Sequence, residues 1–100
     1  MNPSRLNSTF KKLKEQRRPA FIPFFAAGDP DMQTTAQLVK AAAAAGADII
    51  EIGIPFPDTS ADGPVIQGSY YRALSNGFRV SQAFDLVRDL RRDGLATPLV

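Results

Sequence analysis

The stretch "ADIIEIGIPF", Ala47 to Phe56, decides how the chain is read. Isoleucines fall on both of its faces, which is the pattern of a parallel β-strand covered on both sides. Side chains alternate across a strand, so Glu51 shares a face with Ile49 and Gly53, while Ile50, Ile52 and Ile54 point the other way. The run then breaks into the loop "PDTSADGP", Pro57 to Pro64, which carries Asp58 and Asp62. A carboxylate thus sits inside the most hydrophobic run of the chain, and two more lie just past its end.

Parallel strands need crossover connections, and the flanking sequence supplies them. Upstream, "AFIPFFAAGDP" from Ala20 is an aromatic-rich strand candidate closed by a turn, with Pro23 as a local objection because proline cannot donate to a ladder. Asp29 can cap the next helix, with Pro30 at its first position. Thr35, Leu38, Val39 and Ala42 then recur at the spacing of one buried helical face, and Gly46 can supply a left-handed stop. The alanine run Ala41 to Ala45 reads as a close-packing face of that helix.

Downstream, Pro64 can start a helix running toward Asn76 with Gly77 as its stop. Ser81 can cap another that buries Ala83, Phe84, Val87 and Leu90 before Gly94, and "LATPLV" opens a third strand at the end of the chain. Before the first strand, Leu6, Phe10 and Leu13 recur at helical spacing, so the basic run "KKLKEQRRP" is the wet face of an amphipathic helix. Strand, helix, strand, helix with tight glycine stops is the grammar of α/β units. Periodicity leaves open whether the sheet closes into a barrel or stays open.

Composition bounds the rest. One hundred residues, 44% hydrophobic and 22% charged, make one globular domain at most. There is no cysteine, which excludes disulfides and thiolate metal sites and fits a reducing compartment. There is no histidine, so proton transfer falls to carboxylates, lysines, tyrosines or bound groups. The basic residues are not interleaved with stacking aromatics as single-strand nucleic-acid binders require. No apolar leader and no membrane-length run is visible, so the expected location is the cytoplasm, with no nucleic-acid or membrane partner.

Each carboxylate has a structural and a functional reading. Glu51 on an apolar strand face is either one half of a buried ion pair or a group whose protonation is used, since desolvation favours the neutral acid. Asp62, ahead of Gly63 and Pro64, reads locally as an N-cap, and Asp58 reads as a turn residue. Their pattern carries more than any one of them. A glutamate near the carboxyl end of a strand, followed by a loop with two aspartates, is where α/β proteins place ligands and catalytic groups. Three carboxylates make a magnesium site conceivable, but nothing marks octahedral spacing or a phosphate loop, and no metal is expected.

"PFFAAGDPD", "AGADIIEIGIPFPDTSADGPVIQ" and "RALSNG" together closely resemble the tryptophan synthase alpha chain family, from about Phe21 to about Gly77. The resemblance implies the N-terminal portion of a (β/α)8 TIM barrel, about two to three βα units plus an N-terminal helix. Residues 1–100 would form a partial barrel domain cut short at the third strand. It implies a lyase of tryptophan biosynthesis that splits the small molecule indole-3-glycerol phosphate, in a reverse aldol reaction, into indole and glyceraldehyde 3-phosphate. Glu51 falls on the family's catalytic acid/base, Asp62 on its catalytic aspartate and Phe24 on a phenylalanine lining the indole pocket.

The loop with Asp58 and Thr59 falls on the surface that meets the beta chain. The expected assembly is a heterotetramer of two alpha and two beta chains, with pyridoxal phosphate on the beta chain and no cofactor on this one. Pro57, Thr59 and Ser60 stand where the family commonly has serine, proline and leucine, and Ala26 replaces a frequent threonine. A full barrel needs about 250 residues, and its phosphate site is commonly built from the last loops. The 100 residues alone are therefore expected to have little or no activity. Alternatives are a non-catalytic fragment that binds the beta chain, and a stand-alone indole-3-glycerol-phosphate lyase.

Overall fold

The computed structural model describes residues 4–58 and 60–100. In chain order the elements are α1 (Arg5–Gln16), β1 (Phe24–Ala26), α2 (Met32–Ala44), β2 (Glu51–Gly53), α3 (Pro64–Ser75) and α4 (Val80–Arg92). β1 and β2 pair in parallel, with Phe24 opposite Glu51, Phe25 opposite Ile52 and Ala26 opposite Gly53. On the other edge of β2, Ile50 bridges in parallel to Leu99. The Ile50 and Ile52 amides donate to Pro98 and Val100 oxygens at 2.9 and 2.8 Å, so "LATPLV" lies alongside β2 through a parallel bridge, while the sheet itself has two strands.

Pro23 proves compatible with β1 because it sits just before the first paired residue. Its missing donor costs nothing there, and its carbonyl accepts from the Glu51 amide at 2.9 Å. The register is fixed one step earlier. Asp48 takes the Phe21 amide on its carboxylate at 2.8 Å, and its own amide donates to the Phe21 carbonyl at 2.9 Å. Arg18 holds the same carboxylate bidentately at 2.8 and 3.2 Å. Phe21 and Asp48 are 27 residues apart, the separation of Phe24 from Glu51, so this staple ahead of the strands sets the register in which they pair.

The outer face of the sheet is covered. Ile50, Val39, Leu86, Leu90 and Ala47 form a buried cluster, joined by Phe25, Ile52 and Leu99. α2 packs on both β1 and α4. A second cluster of Ala27, Ala73, Phe78 and Ala83 seats α3 beside the end of β1. Gly28 permits this approach, because a Cβ there would stand 3.0 Å from the Phe78 ring and its φ is +85°. Burial at this density holds the helices in place, at about 1.5–3 kcal/mol for each fully buried large aliphatic side chain.

Several local expectations are corrected. α2 is capped by Asp31, whose carboxylate accepts from the Thr34 amide at 2.7 Å. Asp29 is instead drawn away by Arg72 and Ser69. α4 begins at Val80, ahead of Ser81, and its first turn is closed by the Gln82 side chain accepting from the Arg79 amide at 2.8 Å. Phe84 is 73% exposed and Leu38 40%, where the spacing had placed both in the core. Both helices turn toward each other along Val39, Leu86 and Leu90, which leaves those two side chains on the far rim. On α1 Leu13 alone is buried, with Leu6 and Phe10 exposed. The glycine stops hold: Gly46, Gly77 and Gly94 all have positive φ.

Candidate active site

The carboxyl ends of β1 and β2 and the first turns of α3 converge on one open face. Phe24 and Glu51 are direct cross-strand partners, so their side chains leave the sheet on the same side. Glu51 is exposed, contrary to the burial expected from its apolar neighbours. The reason lies in the covering: β1 and β2 have helices against one face, while Phe24, 39% exposed, and Ile54 and Phe56 are left uncovered at this end.

Gly53 lies one pleat beyond Glu51 on the same face, and it explains how the site is closed at its edge. A Cβ built on Gly53 would meet the Phe24 ring and, at 2.7 Å, the Tyr70 hydroxyl. Glycine is therefore required where two aromatic side chains lean over the strand. Tyr70 was not singled out in the sequence. Its signal was the glycine in a strand interior, which marks close approach by something else.

Asp62 is half-buried just ahead of α3. The expected capping role is not seen: the N-cap residue is Gly63, with Pro64 at the first helical position. The Asp62 carbonyl accepts from the Gln67 side chain at 2.7 Å, which ties down its backbone. Its carboxylate makes no hydrogen bond or ion pair among the described residues, nor does that of Glu51. Tyr70 senses this neighbour: burial, and then the negative charge of Asp62, push the phenol above its ordinary range.

Every other aspartate is engaged. Asp29 pairs bidentately with Arg72 at 2.9 and 3.0 Å and accepts from the Ser69 hydroxyl at 2.6 Å, and these contacts hold its carboxyl below the usual range. Asp31 caps α2, Asp48 holds the staple, and Asp85, Asp89 and Asp93 form ion pairs with Arg88 and Lys40. Asp58 accepts from the Ser60 amide at 3.2 Å, which keeps its carboxyl low and makes it the turn residue its local sequence implied. Thr59 lies outside the described residues. Among the described residues no group of three or more potential ligands could hold a metal ion. None of their helices is long and apolar enough to cross a membrane.

Between the loop after β2 and α3 runs a groove of about 580 Å³ lined by Phe56, Pro57, Gln67, Tyr70, Tyr71 and Leu74. Parallel strands flanked by helices, with one unpaired carboxylate on β2 and another in the loop past its carboxyl end, define the N-terminal portion of a (β/α)8 barrel. The chain matches a tryptophan synthase alpha subunit from Legionella pneumophila with a TM-score of 0.93 and 37% identity, over 98% of this chain and 37% of that one.

The family model described as tryptophan synthase alpha chain matches residues 10–100, and the chain belongs to that family. A tryptophan synthase alpha chain of Methylibium petroleiphilum is 47% identical over 97 residues, which is 97% of this chain and 36% of the relative. The chain thus spans little more than a third of the relatives it matches. A tryptophan synthase complex of Pyrococcus furiosus contains a similar chain, with a TM-score of 0.75 and 48% identity over 80% of this chain and 32% of that one.

Proposed function

We propose that this chain serves, within a complete barrel, to cleave indole-3-glycerol phosphate to indole and glyceraldehyde 3-phosphate. The observation that carries this reading is the contrast among the carboxylates: Asp62, alone among the aspartates of the described residues, has an unpaired side chain, and Glu51 stands unpaired opposite Phe24. The fold engages every other described aspartate, and the remaining free carboxylate, Glu15, lies exposed on α1, away from the end of the sheet where Glu51 and Asp62 stand open to a ligand.

The chemistry requires an acid and an anion. Indole leaves as a poor carbanion unless its C3 is first protonated, which moves positive charge to the ring nitrogen. Glu51 gives the proton to C3 and takes one from the glycerol hydroxyl next to the breaking bond, so the carbon–carbon electron pair returns to the ring and an aldehyde forms. Asp62 sits by the indole N–H and stabilises the cation, an effect that grows as water is excluded. Phe24 supplies an apolar wall for the ring.

The Asp58 and Thr59 loop faces a beta chain that carries the pyridoxal phosphate, in a heterotetramer located in the cytoplasm. The family membership and the existence of the Pyrococcus furiosus complex support that partner. This chain itself carries no cofactor in the cleavage reaction.

The test is the full-length protein with Glu51→Gln or Asp62→Asn. Each is expected to lower indole release by about 10²–10⁴-fold with the melting temperature unchanged. Near-normal release from either would remove that residue from the mechanism.

A further inference from the structure

Tyr70 occupies a position that the cleavage chemistry does not use. α3 carries it across the end of β2, where its hydroxyl stands 2.7 Å, and the Phe24 ring at Cε2 2.8 Å, from the point a Gly53 Cβ would fill. The phenol and the phenyl ring therefore share one small volume and bound it together. Phe24 remains 39% exposed, so the wall they form is open to a ligand.

The helical turn beneath Tyr70 is held firmly. Ser69 and Arg72, on either side of it in sequence, both bond to Asp29 at the end of β1. Ala73 is fully buried against Ala27 and Phe78. The backbone has little room to retreat from a larger ligand. The Tyr70 hydroxyl makes no hydrogen bond among the described residues, and burial together with the Asp62 charge keeps it protonated and uncharged.

Resting on the reading above, we infer that Tyr70 is a specificity-determining residue that limits the size of the fused aromatic ring the site accepts. A tyrosine with two rotatable side-chain bonds, leaning with Phe24 over a bare glycine, forms a rigid stop. Small changes in such an apolar pocket alter discrimination by about 10–200-fold.

The test compares wild type, Tyr70→Phe, Tyr70→Leu and Tyr70→Ala in the full-length protein. kcat and KM are measured for indole-3-glycerol phosphate and for its benzo-fused analogue. Equilibrium titrations with indole and benzo-fused indole are run alongside. For Tyr70→Ala, the ratio of kcat/KM for the analogue over the parent should rise by about tenfold or more, chiefly through the KM of the analogue. Tyr70→Leu should fall between, and Tyr70→Phe should stay within about threefold of wild type, since it keeps the ring.

A wild type that cleaves the parent while ring preference ignores Tyr70 would overturn this inference and leave the lyase reading standing. A wild type that cleaves nothing, yet binds the larger ring only after Tyr70→Ala, would overturn the lyase reading and support the inference. If wild type neither cleaves nor binds indole, both fall. Should Tyr70→Ala fail to fold, Tyr70→Leu decides by the same ratio.

Discussion

The two faces of one short sheet are built on opposite plans. On the outer face Ile50 is fully buried, and Val39, Leu86 and Leu90 close over it from α2 and α4. On the open face, one residue along, Glu51 is exposed and Phe24 keeps more than a third of its surface free. Neighbouring positions thus answer to different demands. The outer face is organised for cohesion, and the open face holds polar groups that cohesion has not consumed. At the paired positions of the sheet a side chain's part is therefore read better from its face than from its hydrophobicity, while Ile49, on the Glu51 face just ahead of β2, is buried.

The comparison can be broken by substitutions that should act on one face and spare the other. The largest separation is expected from Glu51→Gln and Asp62→Asn, which remove activity in the full-length protein and leave the thermal midpoint within error. Leu90→Ala is the converse: a loss of about 2–5 kcal/mol in urea unfolding, as for other buried leucines, with KM unchanged in the fraction that remains folded. Loss of stability from the first pair, or none from the second, would erase the distinction.

A smaller effect tests the brace between the faces. Arg72 and then Ser69 hold the Asp29 carboxyl below its ordinary range. A carboxylate depressed in the folded state binds fewer protons there than in the unfolded chain, so it contributes stability that is complete above the ordinary value and is lost as pH falls through the folded one. Between about pH 6 and about pH 3, wild type should lose more urea resistance than Asp29→Asn, and the two curves should converge at the acid end. Asp31, Asp48 and Asp58 are held low as well. They are common to both proteins, so the difference isolates Asp29. Parallel curves would show that the Arg72 pair, in which the arginine side chain is 57% exposed, is screened out by solvent. The smallest change is expected at the rim, where Phe84→Ser should shift stability by no more than about 0.5 kcal/mol.

Much of the fold was legible because it is written locally. Isoleucines on both faces, Pro64 at a helix start and glycines at Gly46, Gly77 and Gly94 each state their conformation within a few residues. Pairings between distant residues were not legible. Asp29 and Asp31 are equivalent to any local capping rule, and what separates them is Arg72, 43 residues away. Phe84 and Leu38 satisfy helical spacing, but which stripe of a helix is covered depends on the neighbour's angle. The site divides in the same way. Glu51, Asp62 and Phe24 were singled out as candidates by motif and position, whereas Tyr70 becomes a candidate only once Gly53 is seen to be overhung.

The staple at the amino end also has a bearing on error. Asp48 and Phe21 lock the two strands at the same offset that places Glu51 opposite Phe24, and the Pro98 and Val100 carbonyls take the alternate amides of Ile50 and Ile52. A slip of one residue would invert the parity of β2, sending the carboxylate of Glu51 into the Leu86 and Leu90 layer and Ile50 into water. An unpaired charge placed there costs several kcal/mol. The alternation of glutamate among isoleucines therefore works as a checksum on strand register: an assembly that misplaces the unpaired carboxylate is also one that does not hold together.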